Sequence, residues 1–339
     1  MKPTTFALRI LLSALICCMV FASQAQTCND TPVRIGIAWV PNTKAYDRVV
    51  RSIEAAGGEA VILPQMRAAA LKYDGSRLLP QYVDENGVLL QQYADMVKID
   101  TYAGTGADTL MKDIAGVVFM GGGDISSSLF AQPQPWHGLP DDNNCNAERD
   151  ISEYLTMSYC LDHNIPLLGL CRGMQMLAVV SGAPLIQDLG QYFAAQGKEY
   201  QYLHRMQRDE NGERHYTPHD VAVIDTASIL YSIAATDIIR KVPSWHHQVC
   251  GDVAGTPLKV TGITLTDGIP VIEAIERTDK PFALGVQFHP EEAVRMNLDG
   301  EAAATRFMPL DEGLAYFRAL ITQARKNNDS KKGNNTIIP

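Results

Sequence analysis

The sequence predicts an α/β fold whose central sheet is largely parallel and covered by helices on both faces. Three observations predict it. Over roughly the first half of the chain, short apolar runs alternate with segments of helical spacing. Two of those runs, at 115–120 and 166–170, are apolar throughout, the pattern of strands buried on both sides. The chain has 339 residues, 46% of them hydrophobic, which suits one large α/β domain or two small ones.

Taken in order, residues 33–39 (VRIGIAW) form a short β-branched run and the first strand. Residues 45–56 have helical spacing, and Gly57-Gly58 stops the helix. A second strand at 60–63 is closed by Pro64. The strand at 115–120 (AGVVFM) runs into Gly121-Gly122-Gly123-Asp124. Residues 147–163 read as a helix, with Ile151, Leu155 and Met157 or Tyr159 on one face. The strand at 166–170 meets Cys171 at once, and 174–180 continues as a helix. The second half has more strand character, at 220–224, 258–265, 271–275 and 283–288. An amphipathic helix over 311–325 precedes a polar tail, 328–339, expected to be disordered. The stretch 65–112 is long for one connection and helix-like near 91–98. Long connections are commonly functional, so it is expected to form a lid or rim over the site. No internal repeat is visible, and 26–327 reads as a single domain.

Residues 1–25 have the three-part pattern of a secretory signal. Lys2 and Arg9 are its positive region. Residues 10–22 are an apolar run interrupted only by Ser13, and Ser23-Gln24-Ala25 places small residues at a cleavage site. The run is short for a membrane span, so stable membrane insertion after cleavage is not expected, although an uncleaved anchor is the alternative. The expected destination is the periplasm or the outside of the cell. The whole chain carries a net charge of −9, and removing Lys2 and Arg9 makes it −11. An acidic chain without basic stripes argues against a nucleic-acid partner. Five cysteines would remain: Cys28, Cys145, Cys160, Cys171 and Cys250. An odd number in an oxidising compartment leaves at least one thiol, and the others could form up to two disulfides of undetermined pairing.

Three motifs carry chemistry. Gly169-Leu170-Cys171-Arg172-Gly173 sits between a buried strand and a helix, the thiol counterpart of a nucleophile elbow. A sharp turn there exposes the side chain at the sheet's C-terminal edge, a helix N-terminus favours the thiolate, and the next backbone N–H can donate to an oxyanion. Taken alone, the motif equally describes a buried cysteine at a strand end. Gly285-Val286-Gln287-Phe288-His289-Pro290-Glu291 supplies a base and a group to orient it. If that segment is extended, residues two apart point the same way, so Glu291 reaches His289 and Glu292 faces away. Gly121-Gly122-Gly123-Asp124 permits close backbone approach, which suits a second oxyanion donor; an ordinary turn is the plain alternative.

The set GGGD, GLCRGMQ, SWHHQ and ALGVQFHPE, in that order, resembles the class I glutamine amidotransferase superfamily. More narrowly, it is similar to the γ-glutamyl-γ-aminobutyrate hydrolase and γ-glutamyl hydrolase branch, over roughly residues 33–325. The resemblance implies a flavodoxin-like core and cleavage of γ-glutamyl amides through a thioester. It implies Cys171 as nucleophile, His289 as base and Glu291 as its orienting partner. It implies an oxyanion hole from the backbone of Gly122 or Gly123 and of Arg172. It places Gln175 and the loop with His246, His247 and Gln248 at the substrate. Adjacent histidines on an extended chain point to different sides, which disfavours a metal shared by His246 and His247, and no metal or organic cofactor is expected. Glu148-Arg149-Asp150 and Glu153 resemble the family's R-D-x-x-E helix and are read as structural. Phe288 stands where many relatives have tryptophan. The expected partner is a small γ-glutamyl substrate; the oligomeric state stays open, a homodimer included. An amidotransferase subunit and a non-catalytic γ-glutamyl binding protein are the rival readings.

Overall fold

The computed structural model describes residues 32–138 and 144–334, with side chains through Asp329. The expected signal sequence lies outside the described residues. In chain order, β1 (Val33–Ile37) leads into α1 (Tyr46–Ala55) and β2 (Gly58–Ile62). A small hairpin of β3 (Tyr73–Asp74) and β4 (Arg77–Leu78) follows, then α2 (Gln91–Asp100), α3 (Ala107–Leu110) and β5 (Gly116–Phe119). Next come α4 (Ala147–Asp162), β6 (Leu167–Leu170), α5 (Arg172–Val180), β7 (Leu185–Ile186) and α6 (Leu189–Ala195). The second half holds β8 (Thr217–Val223), α7 (Ile229–Ala234), β9 (Ile238–Ser244), β10 (Val249–Cys250), β11 (Leu258–Thr266) and β12 (Ile269–Arg277). It ends with β13 (Ala283–Val286), α8 (Pro290–Leu298) and α9 (Leu310–Asn334).

The main sheet has nine strands in the order β2-β1-β5-β6-β13-β12-β11-β8-β9. The first five are mutually parallel. Renumbered among themselves they run 2-1-3-4-5, the flavodoxin-like order. From β13 onward the sheet continues antiparallel through β12, β11, β8 and β9. The expected flavodoxin-like α/β core is therefore present, and an antiparallel extension is joined to its edge.

The pleat sorts the parallel strands between two cores. In β5, Val117 and Phe119 face a core shared with Ile151 and Leu155 of α4 and Leu177 of α5. Val118 and Met120 face the opposite core, shared with Ile53 of α1 and Phe317 and Leu320 of α9. Burial on both sides explains why these strands read as continuous apolar runs.

Three expectations change here. The 65–112 segment does not cover the site. Met66, Leu71, Leu78, Leu89, Val97 and Met111 are buried in the core around α4, and no residue of the segment lines the cavities at Cys171. Its apolar side chains are too many to leave on the surface, and they pack as a layer over α4. The helix expected at 91–98 is α2. The C-terminal helix runs to Asn334 instead of ending near 325, so most of the tail expected to be disordered extends α9. A helix propagates easily once its first turns are pinned by packing, here by Phe317, Leu320 and Ala324. No disulfide links any two described cysteines, so none of the pairs open among Cys145, Cys160 and Cys250 forms.

Candidate active site

The catalytic candidates converge because three neighbouring parallel strands end side by side. Cys171 follows β6, Gly121–Gly123 follow β5 and His289 follows β13, with β6 lying between the other two. The crevice beyond the carboxyl ends of such strands is where open α/β sheets bind ligands.

Cys171 has φ 50° and ψ −103°, an uncommon conformation for a residue with a side chain. It caps α5, and its own N–H donates to the Val286 carbonyl at 2.8 Å, holding the turn against β13. The flanking glycines are there for space. A Cβ on Gly169 would stand 2.6 Å from the Gly173 backbone, and one on Gly173 would strike Phe119. The thiol is more enclosed than an exposed elbow would be, with 3% of the residue accessible. The Gln287 amide donates to its sulfur at 3.4 Å, and the Trp245 carbonyl lies 3.9 Å away.

His289 and Glu291 pair at 2.7 Å through Nδ1 and Oε1, leaving Nε2 buried with no described partner. The local geometry differs from the extended segment the sequence indicated. His289 is the N-cap of α8, Pro290 occupies the first turn, and Glu291 follows within that turn. Proline suits that position because its missing N–H is one the helix leaves unpaired anyway, and the helix N-terminus favours an acidic neighbour. Glu292 is committed elsewhere, to Arg48 at 3.1 Å and Arg295 at 2.7 Å. Burial opposes a charge on His289, but Tyr216, Glu291 and Cys171 outweigh it and hold its pKa well above the ordinary histidine value.

Gly121 shows how close the thiol and imidazole are. A Cβ there would lie 2.6 Å from His289 Cε1 and 3.6 Å from Cys171 Cβ. Gly122 and Gly123 border the cavities beside Cys171, and a Cβ on either would collide, with Arg149 and Asn144 respectively. No described residue accepts a hydrogen bond from their N–H groups. The Arg172 N–H belongs to the first turn of α5, where helical donors have no intrahelical partner.

Beneath this loop lies a buried charge network from α4. The Arg149 guanidinium donates to the Met120 and Gly121 carbonyls at 2.9 and 2.8 Å and to Glu153 at 2.7 Å. The Arg172 side chain pairs with both Glu153 and Asp150. Burial opposes its charge, but those two carboxylates keep it cationic. Asp150 also accepts from the Ser126 N–H at 2.9 Å and hydroxyl at 2.6 Å. The R-D-x-x-E helix thus holds the glycine loop and the elbow in one frame.

Gln175 donates to the Gln248 carbonyl at 3.0 Å, tying α5 to the 244–248 loop. The adjacent histidines of that loop diverge. His247 reaches Asp124 at 3.0 Å and Asp188 at 3.3 Å. Burial again opposes its charge, and these two carboxylates raise its pKa nonetheless. His246 turns into the core, 3% exposed, with Nδ1 3.0 Å from the Gln248 carbonyl. The Gln248 amide is buried with neither its nitrogen nor its oxygen paired to a described residue.

Two cavities, of about 540 and 640 Å³, meet at Cys171, Trp245 and the glycine loop. The first is lined by Gln175, Gln248, Arg205, Arg208 and Arg214. The second is lined by His289, Tyr216, Arg48 and Arg295. Tyr216 and Gln287 are among the site residues the sequence did not single out, as are Arg205, Arg208 and Arg214. Gln287 was visible within the motif at the end of β13. Tyr216 carries no motif; its ring meets His289 edge-on at 5.2 Å, and its hydroxyl accepts from Arg48 at 3.1 Å.

A strand-end thiol, a neighbouring histidine–carboxylate pair and a glycine loop on a 2-1-3-4-5 sheet define a class I glutamine amidotransferase-like protein. The Peptidase C26 family model matches residues 94–291, and the chain belongs to that family of hydrolases. It is 33% identical over 186 residues to protein NtpR of Enterococcus hirae, covering 55% of this chain and 70% of that one. It is 27% identical over 160 residues to the γ-glutamyl-γ-aminobutyrate hydrolase PuuD of Escherichia coli, covering 47% of this chain and 59% of that one. Among solved structures, a Trypanosoma brucei CTPS glutaminase domain with bound acivicin aligns at TM-score 0.47 and 16% identity, covering 87% of this chain and 94% of that chain.

Proposed function

We propose that this chain is a cysteine hydrolase of γ-glutamyl amides that works through a thioester on Cys171. The observation that carries the reading is the meeting of Cys171 with the His289–Glu291 pair between two cavities, one ending in arginines and the other opening beside the imidazole. The glutamyl group occupies the arginine-lined cavity. There the α-carboxylate meets Arg205, Arg208 and Arg214, and the unpaired Gln248 amide serves the remaining polar atoms. The leaving amine lies towards His289 and Tyr216.

In this mechanism the thiolate attacks the γ-carbonyl while the proton resides on His289. The tetrahedral oxyanion accepts from the backbone N–H groups of the glycine loop and of Arg172. Collapse breaks the C–N bond, and His289 gives its proton to the departing amine. Water, deprotonated by His289, then cleaves the thioester, releasing glutamate and restoring the thiol. Glu291 holds the imidazole in the tautomer that keeps Nε2 towards the sulfur. Similarity to PuuD supports the γ-glutamyl assignment, and the signal-like residues 1–25 support export.

The test is incubation of the purified protein with a panel of γ-glutamyl amides and glutamine, read by mass spectrometry. Release of glutamate from amides with amine leaving groups, together with a glutamyl adduct on the Cys171 peptide, is expected. An adduct mapped to Cys250 or Cys160, or turnover undiminished in Cys171→Ser, overturns the reading.

A further inference from the structure

Among the described residues, a second concentration of chemistry lies in the antiparallel half, in groups the proposed mechanism does not use. His204, His219, His246 and Glu273 come from four separate places: the loop before β8, β8 itself, the loop after β9, and β12. All are buried, with Glu273 and His204 fully so. Glu273 Oε1 is the centre. It lies 3.0 Å from His204 Nδ1, 3.3 Å from His219 Nε2 and 3.7 Å from His246 Nε2.

These contacts do not have hydrogen-bond geometry. Although two of the distances are short enough, the three facing ring nitrogens and both Glu273 oxygens are left without a hydrogen-bond partner. The tautomers explain why. His246 Nδ1 faces the Gln248 carbonyl, which can only accept, so the proton sits there and a neutral Nε2 points its lone pair at the carboxylate. His204 places Nε2 3.0 Å from the Thr266 hydroxyl, which can accept its proton and leave the Nδ1 lone pair facing inward. A buried imidazole resists taking a second proton. Lone pairs directed at a buried carboxylate repel unless a cation lies among them.

We infer that His204, His246 and Glu273, with His219 beside them, form a buried binding site for a divalent metal ion of the zinc class. The ligand atoms of His204, His246 and Glu273 all lie within 4.8 Å of one another, and the separations of 3.0 and 3.7 Å from Glu273 straddle the edge of a zinc tetrahedron, roughly 3.3 Å for bonds of about 2.0–2.1 Å; His219, 3.3 Å from Glu273, stands just outside that group. Imidazole and carboxylate are ligands zinc accepts, and a small approach by His219 would supply the fourth protein ligand of a structural site. The outer hydrogen bonds of His246 to a carbonyl and His204 to a hydroxyl match the support that metal-binding histidines receive. The ion would pin the 244–248 loop, whose Trp245 carbonyl borders the Cys171 sulfur, to β8 and β12. His246 therefore shares no metal with its neighbour His247; its fellow ligands are distant in sequence.

The test uses the whole chain carrying Cys171→Ala, so that the reactive thiol takes up no metal. After chelator treatment, Zn²⁺ and Co²⁺ are titrated in, with metal content measured by mass spectrometry and Tm by calorimetry. One ion per chain is expected, with Tm rising on the order of 5 °C or more at hundredfold excess over Kd. Bound Co²⁺ should show the intense visible absorption of tetrahedral coordination. Glu273→Gln, which keeps the side chain's shape, should lower affinity at least tenfold. The other cluster with ligand spacing, Asp209, Glu213 and His215, is exposed, and His215→Gln should leave uptake unchanged. No uptake of either ion, weak octahedral Co²⁺ absorption, or uptake lost in His215→Gln overturns the proposal. If Glu273→Gln does not fold, the Co²⁺ spectrum of the Cys171→Ala chain decides alone.

Discussion

The two halves of the sheet solve different problems. In the parallel half, β5, β6 and β13 deliver the glycine loop, Cys171 and His289 at their carboxyl ends, and the strand order brings them together. In the antiparallel half, β8, β12 and the loops before β8 and after β9 contribute buried side chains to a polar cluster, and the 244–248 loop takes part in it. The candidate reactive groups thus sit where strands stop, and the loop that borders the cavity at Cys171 meets side chains projecting from the middle of strands, His219 and Glu273. The comparison predicts that damage to the parallel half abolishes chemistry, while damage to the antiparallel half loosens the substrate loop.

The largest effect should come from the parallel half. Cys171→Ser should lower turnover about a thousandfold or more, since the proposed covalent nucleophile is lost. Substrate binding, measured by calorimetry, should survive, because Gln248 and the arginine-lined cavity are untouched. Glu291→Gln should retain part of the activity by keeping an acceptor near His289 Nδ1. If the serine variant binds no substrate, the division between chemistry and binding is wrong.

A second prediction concerns the frame beneath the elbow. Glu153→Gln removes the carboxylate shared by Arg149 and Arg172 and leaves buried positive charge uncompensated. It should destabilise the protein by about 3–5 kcal/mol in denaturant unfolding. A change below about 1 kcal/mol, the size typical of exposed ion pairs, would show that the network is solvated and does not organise the loop.

The smallest effect should come from the 244–248 loop and depend on pH. The His247 pKa is raised because Asp124 and Asp188 favour its charged form. Its contribution to stability is complete below the ordinary histidine pKa of about 6.5 and is lost as pH rises through the raised value. The Tm difference between the native protein and His247→Gln should therefore be greatest at mildly acidic pH and shrink as the pH rises. A difference that grows with pH would mean that His247 is held neutral.

The parallel half was legible in the sequence, and the antiparallel half was less so. Strands buried on both faces appear as continuous apolar runs, and the elbow glycines are dictated by backbone contact, so β5, β6 and Cys171 could be placed by inspection. The reach of Glu291 to His289 was also readable, although through a helix start rather than an extended chain. The strand β9 escaped, because Arg240, Lys241 and Pro243 interrupt its apolar pattern. Residues 65–112 were misjudged because buried apolar positions without a clear period look the same in a lid and in a core layer.

By itself the sequence determined which residues could react: a thiol at a strand end, an imidazole with a carboxylate two residues on, and glycines where backbones touch. Each of these is local, set by turn chemistry or by the direction of a few consecutive residues. Only the tertiary structure decided that Tyr216 meets His289, that Gln287 donates to the thiol, and that His204, His219, His246 and Glu273 share one buried point. Those meetings join residues tens to more than a hundred positions apart, and their spacing is fixed by strand order and register, which no local pattern encodes.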